Sequence, residues 1–258
     1  MILTVNVSNS QILLGGYQDG ARVFCASLHT DPSATADEYA VRMRSVLGLY
    51  EVDPRQLAGA ILSCVVPSLL QPVRKALGLL YPGRLYVVGP GLKTGLQIRM
   101  DDPGQLGGEL VCAAVAAKEQ YPLPCVVVSL DTATTLLALD EDGVLRGGAL
   151  VAGVRTGVDA LCARAAQLPQ VDLAVPACGV LGSGSVTCVQ AGAVFGTASM
   201  IDGMVDRFAR ALGTGIASCV VTGELAPLIA PRCVHEVSVH EHLVLDGLYA
   251  LYRRNTRS

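Results

Sequence analysis

Val126-Val127-Val128-Ser129-Leu130-Asp131-Thr132-Ala133-Thr134-Thr135 is the stretch from which the fold can be read. Val126, Val127, Val128 and Leu130 predict a buried strand, which runs directly into hydroxyls grouped around one carboxylate, Asp131. A loop of this kind at a strand end offers backbone N–H groups and hydroxyls to an anion such as a nucleotide phosphate. A Thr-rich β-turn without a ligand has the same local composition. The N-terminus tilts the balance. Ile2 to Val7 is another apolar strand, it runs into Ser8-Asn9-Ser10, and a second strand, Gln11 to Tyr17, follows. Two strand-to-hydroxyl-loop units, one opening each half, predict a duplicated fold whose phosphate loops face each other across a central cleft.

The intervening chain supports the duplication. Ala21 to Ser27 reads as a third strand after a turn at Gln18-Asp19-Gly20. Thr35-Ala36-Asp37-Glu38 has the spacing of a capped helix start, with the helix running through Tyr39 to Gly48. Ala60 to Val66 reads as strand, Leu69 to Leu80 as helix and Leu85 to Val88 as strand. A Gly-rich loop, Gly89-Pro90-Gly91-Leu92-Lys93-Thr94-Gly95, holds one of three lysines in the chain. Gly107-Gly108-Glu109-Leu110 then enters an Ala-rich helix, Val111 to Gln120, where an acid is favourable for the helix dipole alone.

Tyr121-Pro122-Leu123-Pro124 divides the predicted halves, 1–121 and 122–258. The second half repeats the meander with Val126 to Leu130, Thr134 to Leu139 and Leu145 to Ala152. Helix is expected over Val154 to Ala166 and at Ser185 to Phe208, strand at Cys219 to Thr222 and Val234 to Val239, and a closing helix at Leu243 to Arg254. Strand-strand-strand-helix-strand-helix-strand, occurring twice, is a duplicated ribonuclease-H-like α/β pattern. Open sheets of this class bind ligands at the carboxyl ends of their strands.

Composition narrows the function. The 258 residues are 51% hydrophobic with a mean hydropathy of +0.47, enough for a large core. Apolar runs are interrupted by Gly, Pro or charge, and no basic flank with a cleavage site opens the chain, so a soluble cytoplasmic protein is expected. Net charge is −3 with no basic block before Arg253-Arg254, and there is no Trp, which argues against nucleic-acid binding. The nine cysteines form no CxxC pair and read as reduced thiols, mostly in the core. His235, His240 and His242 are better explained by a final strand and its turn than by a metal site.

Several motifs together carry a resemblance. Thr35-Ala36-Asp37-Glu38-Tyr39, Ser63-Cys64-Val65-Val66-Pro67, Gly89-Pro90-Gly91-Leu92-Lys93-Thr94-Gly95, Thr132-Ala133-Thr134-Thr135 and Thr222-Gly223 with Leu225-Ala226 match TADEY, SSVVP, GPGxKTG, the end of DFGTATT, and TGGLA. Over its whole length the chain resembles the type III pantothenate kinases, of the acetate-and-sugar-kinase, Hsp70 and actin superfamily. The resemblance implies ATP-dependent phosphorylation of the pantothenate hydroxyl in coenzyme A synthesis. It also implies Mg²⁺, a monovalent cation (K⁺ or NH₄⁺) and a homodimer with substrate sites near the subunit interface. By position it implies nucleotide contacts at Asn6, Ser8, Asn9, Ser10, Thr132, Thr134, Thr135, Thr222 and Gly223, and a metal-binding position at Ser129 and Asp131. Glu109 falls at the catalytic base, within a substrate-binding Gly107-Gly108-Glu109-Leu110, with Met100 and Ser185 as further substrate positions.

The departures fall where the chemistry would happen. The first loop is Asn6-Val7-Ser8-Asn9-Ser10 against Asp-x-Gly-Asn-Thr, so a carboxylate and a glycine are missing. In the second, Ser129 stands for the leading Asp and Asp131 for the Gly two residues later. Residues two apart share a face, so Asp131 either returns the carboxylate or repels the phosphates. Glu109 replaces Asp, Leu110 Arg, Met100 Tyr, Ser185 Thr, and Glu224 the second Gly of TGGLA. An active kinase with Glu109 as base and Lys93 neutralising charge is one expectation. The other is a catalytically impaired paralogue that binds or regulates, including in a hetero-oligomer with an active chain.

Overall fold

The computed structural model describes residues 1–256. Each of two compact units is built on one five-stranded sheet. The first sheet joins β1 (Ile2–Val7), β2 (Gln11–Gln18), β3 (Ala21–His29), β4 (Gly59–Cys64) and β5 (Leu85–Val87) in the order β3-β2-β1-β4-β5. The second joins β6 (Cys125–Leu130), β7 (Ala133–Leu139), β8 (Leu145–Ala152), β9 (Ser218–Thr222) and β10 (Ser238–Val239) in the order β8-β7-β6-β9-β10. In both, the first three strands are antiparallel neighbours and the last two run parallel to the opening strand. The molecule is therefore a duplicated ribonuclease-H-like α/β fold, as the sequence predicts.

Each sheet buries one face under helices. In the first unit α1 (Ala36–Leu49) and α2 (Pro67–Leu80) cover Leu3, Val5, Val7, Ala60 and Leu62. α1 starts with the predicted capping box: the Thr35 hydroxyl accepts from Glu38 N–H at 3.3 Å, and Glu38 accepts from Thr35 N–H at 2.7 Å. α3 (Gly108–Gln120) follows the Gly-rich loop. In the second unit α4 (Val154–Arg164), α5 (Ser185–Ala191), α6 (Thr197–Leu212) and the short α7 (Ala226–Ile229) follow the meander. The chain closes with α8 (Leu243–Thr256).

The units do not divide the chain at 121/122. The first gathers Met1–Gly95, Asp102–Ala116 and α8, and the second holds Leu96–Asp101 and Ala117–His242. α8 belongs with the N-terminal sheet because its side chains fill that sheet's second face. Leu245 packs over Gly15, where a Cβ would come within 3.1 Å of it, and Tyr249 stacks on Tyr17 with ring centroids 4.4 Å apart. Asp246 accepts hydrogen bonds from Tyr17 Oη and from Arg22 at 2.7 Å.

Three local expectations differ. α5 and α6 join through a π-type turn at Gly192–Gly196, so Ser185–Leu212 is one helical run, and an 18-residue window in it with a mean hydropathy of 1.2 makes it long and apolar enough to span a membrane by length and composition. Its buried residues, Ala191, Val194, Ala198, Ile201 and Val205, form one stripe, and Val194 is wholly buried. The last strand is only Ser238–Val239, because Asp202 takes the N–H groups of Val234 (2.9 Å) and His235 (3.0 Å) out of any ladder. Of nine free cysteines four are buried and two, Cys178 and Cys188, are exposed.

Candidate active site

Strand alternation builds the polar edge of each sheet. Leu3, Val5 and Val7 point into the first core, so Asn6 faces the other way, and Val126, Val128 and Leu130 leave Ser129 opposite their core in the same manner. Register then sets a second polar residue beside each: Ser63 on β4 pairs with Asn6, and Thr222 on β9 pairs with Ser129. All four are buried.

The first loop is closed by its own hydroxyl. Ser8 Oγ donates to the Gln11 carbonyl at 2.9 Å, its N–H reaches the same oxygen at 3.0 Å, and Thr30 Oγ1 donates to the Ser8 carbonyl at 2.8 Å. Asn9 and Ser10 are exposed at the tip. In the second loop Ser129 Oγ donates to Asp131 Oδ2 at 2.6 Å, so the two side chains do share a side. Burial holds the Asp131 carboxyl above the usual carboxylate range, the Ser129 hydrogen bond draws it back, and the charge of Glu224 raises it further. Thr132 is exposed, and its carbonyl accepts from Gly153 N–H at 3.1 Å and Thr156 Oγ1 at 2.9 Å.

Thr134 and Thr135 are both buried, yet they point to opposite faces of β7. Thr135 is level with Ser129 and, beyond it, Thr222, giving a row of hydroxyls across three strands, whereas Thr134 is level with Leu130 on the core side. The turn after β9 needs its glycine: Gly223 has φ +98°, and a Cβ there would lie 2.6 Å from the Leu130 carbonyl oxygen.

Glu109 is the second residue of α3, half-buried in its first turn. Gly107 supplies the carbonyl that receives Leu110 N–H (3.0 Å) and Val111 N–H (3.2 Å). Gly108 lies over β4, where a Cβ would come 3.1 Å from Ser63 Oγ. Met100 is on the short segment of the second unit that pairs with the start of β8, Arg99 N–H reaching the Leu145 carbonyl at 2.9 Å. Ser185, exposed at the start of α5, lines a cavity of about 830 Å³ with Gly153, Val154, Gly157, Ser183 and Gly184. That volume is within the range of about 300–1,000 Å³ usual for ligand pockets. Lys93 is exposed, with its main chain clasped by Asn255 in two hydrogen bonds of 3.0 and 2.9 Å.

Among the described residues, four buried side-chain oxygens have no hydrogen-bond partner: Asn6 Oδ1, Ser63 Oγ, Thr134 Oγ1 and Thr135 Oγ1. Unpaired buried polar atoms are rare in folded proteins and call for a ligand, ion or water. Asn6 is on the strand entering the first loop, Ser63 is beside it on β4, and Thr135 is on the strand leaving the second loop. In each unit such oxygens fit a phosphate or a hydrated cation, whereas Thr134 Oγ1 lies on the core side. Among the described residues no group of three or more His, Cys, Asp or Glu is arranged to hold a metal. Mg²⁺ needs none, since it is commonly held by one or two carboxylates, phosphates and water.

The sequence profile of the type III pantothenate kinases matches residues 2–207. A protein of that name from Exiguobacterium sp. is 36% identical over 257 residues, covering 100% of both chains, and one from Moorella thermoacetica is 37% identical over 259 residues, covering 99% of this chain and 100% of its own. This chain belongs to the type III pantothenate kinase family. The fold extends further: (R)-2-hydroxyglutaryl-CoA dehydratase component A from Acidaminococcus fermentans superposes with a TM-score of 0.56 at 14% identity, covering 97% of this chain and 96% of its own.

Within a type III pantothenate kinase, the residue that sequence reasoning passed over is Ser63. It was legible only as part of the SCVVP motif, although a hydroxyl inside the apolar run Ala60 to Val66 was the available signal.

Proposed function

We propose that this chain transfers the γ-phosphoryl group of ATP to the hydroxyl of pantothenate, giving 4'-phosphopantothenate and ADP in coenzyme A synthesis. The observation that carries this reading is a buried, unpartnered oxygen beside each loop, Asn6 Oδ1 on the strand entering the first and Thr135 Oγ1 on the strand leaving the second. Glu109 accepts the proton of the pantothenate hydroxyl, the freed oxygen bonds to the γ-phosphorus, and the bond to the bridging oxygen of ADP breaks. Asn9, Ser10 and Thr132 present exposed loop groups to the phosphates, and Gly223 keeps the turn near the adenosine low. The cavity beside Ser185 takes the pantothenate chain.

A divalent ion supplies charge neutralisation at the transferring phosphoryl group. In the first unit Asn6 would hold it through water, and in the second the Ser129–Asp131 pair would hold the monovalent cation. Asp131 is suited to a cation, since its buried carboxyl is held protonated more readily than an ordinary one until a positive charge arrives. We place the protein in the cytoplasm as a homodimer, in line with its family.

One observation favours a second reading. Asp131 and Glu224 stand where the family motifs have glycines, and the charge of Glu224 already raises the Asp131 carboxyl. Two acids on the nucleotide side suit a paralogue with little turnover that pairs with an active chain. The test is ADP formation at high ATP with Mg²⁺ and K⁺, with and without pantothenate. Pantothenate-dependent turnover that Glu109→Gln abolishes supports the kinase. No turnover and no calorimetric ATP binding overturns it in favour of the paralogue.

A further inference from the structure

The duplication places a polar pair at the same register in each unit, but the two pairs are treated differently. In the second unit both hydroxyls are engaged within the protein: Ser129 Oγ donates to Asp131 at 2.6 Å and Thr222 Oγ1 to the Glu241 carbonyl at 3.4 Å. In the first unit Asn6, 3% exposed, and Ser63, wholly buried, leave Oδ1 and Oγ without a partner. The two residues are direct register neighbours on parallel strands and share a face. Gly108 opens α3 directly above, and a side chain there would press on Ser63 Oγ at 3.1 Å. The glycine lets the start of α3 pack close over that oxygen without a side chain against it.

What completes this pair must donate hydrogen bonds, because the amide Oδ1 is only an acceptor, and it must be small. Water meets both requirements, and buried waters typically make about three hydrogen bonds to groups left unpaired by the protein. Asn6 carries no charge with which to strip a divalent ion of its water, and Mg²⁺ dehydrates reluctantly. We propose that Ser63 is a positioning residue for the nucleotide's divalent cation: with Asn6 it holds a water of the cation's hydration shell, so the metal is gripped through water rather than by a protein carboxylate. This rests on the kinase reading above.

The experiment is calorimetry of a non-hydrolysable ATP analogue with Mg²⁺, with hexaamminecobalt(III), or with EDTA. The cobalt complex is exchange-inert and presents N–H donors where hydrated Mg²⁺ presents water, so it reports outer-sphere binding alone. Both cations should tighten analogue binding. Ser63→Ala should lose about tenfold of that tightening with each, leave binding in EDTA unchanged, and hold or raise the melting temperature of the ligand-free protein, since it removes an unpaired buried hydroxyl. Asn6→Asp should favour Mg²⁺ over the cobalt complex. Unchanged cation dependence in Ser63→Ala, or tightening by Mg²⁺ but not by hexaamminecobalt(III), overturns the proposal and leaves the kinase reading standing. Analogue that binds under none of the three conditions overturns both.

Discussion

Gly247 of α8 lies against the main chain of Cys112 in α3, so near that a Cβ on it would be 1.9 Å from the Cys112 carbonyl oxygen. No rotamer relieves a clash with backbone, so Gly247→Ala must push the two helices apart. Overpacking of this kind costs about 1–3 kcal/mol. Urea unfolding should show a lower midpoint with an unchanged slope, which separates lost stability from a changed unfolded state.

Gly223 faces a similar constraint with backbone strain added. An alanine there meets both the +98° φ and the Leu130 carbonyl at 2.6 Å. Gly223→Ala should lower the melting temperature and weaken ATP binding together. Wild-type ATP affinity in the variant would show that this turn does not border the nucleotide.

Glu109 tests how carboxylate reach matters. Glu109→Gln should cost about 10²–10⁴-fold in kcat, the usual contribution of a general base. Glu109→Asp shortens the side chain to the family's length, and misplacement by about an ångström can cost about 10²-fold, so kcat should rise. A fall in the Asp variant would mean that the helix start is set for the longer residue.

Asp131 gives a pH signature. Its carboxyl is held above the ordinary range, chiefly by burial, so folding favours the protonated form. The stability it contributes is therefore fully present below the unfolded-state value near about 4 and is lost as pH rises through the higher folded value. Asp131→Asn should stabilise the ligand-free protein at pH 7, with the gain vanishing below about pH 4. Equal gains at both pH values would contradict the assigned protonation.

The α1 cap has the opposite sign. Hydrogen bonds from the Thr35 N–H and then its hydroxyl hold the Glu38 carboxyl below its usual range. That contribution is present above the unfolded-state value and disappears as pH falls through the lower folded one. Thr35→Ala should lower the melting temperature by about 2–4 °C at pH 7. The difference from wild type should shrink in acid as Glu38 protonates.

Which features were legible in the sequence follows from how local their causes are. The capping box at Thr35 and Glu38 was readable because four consecutive residues make it. The opening strands, Ile2–Val7 and Cys125–Leu130, were readable to within a residue because predominantly apolar runs bounded by hydroxyl turns have one economical structure. The last strand was over-read. Val234 to Val237 has strand-like spacing, but the N–H groups of Val234 and His235 go to Asp202, more than thirty positions earlier in the chain.

The amino-acid sequence by itself determined the family and the duplicated α/β topology, since motif spacing and apolar periodicity are properties of short segments. It also located the changed residues, Asn6, Asp131 and Glu109. Only the tertiary structure decided what those residues face. Strand register made Ser63 the neighbour of Asn6, fifty-seven positions away, and left both unpaired. Register and burial likewise split Thr134 from Thr135, joined Ser129 to Asp131, and seated α8 on the first sheet. Pairing across a sheet is set by hydrogen bonds and packing between segments far apart in the chain, and a one-residue shift in register would turn every one of these side chains to the other face.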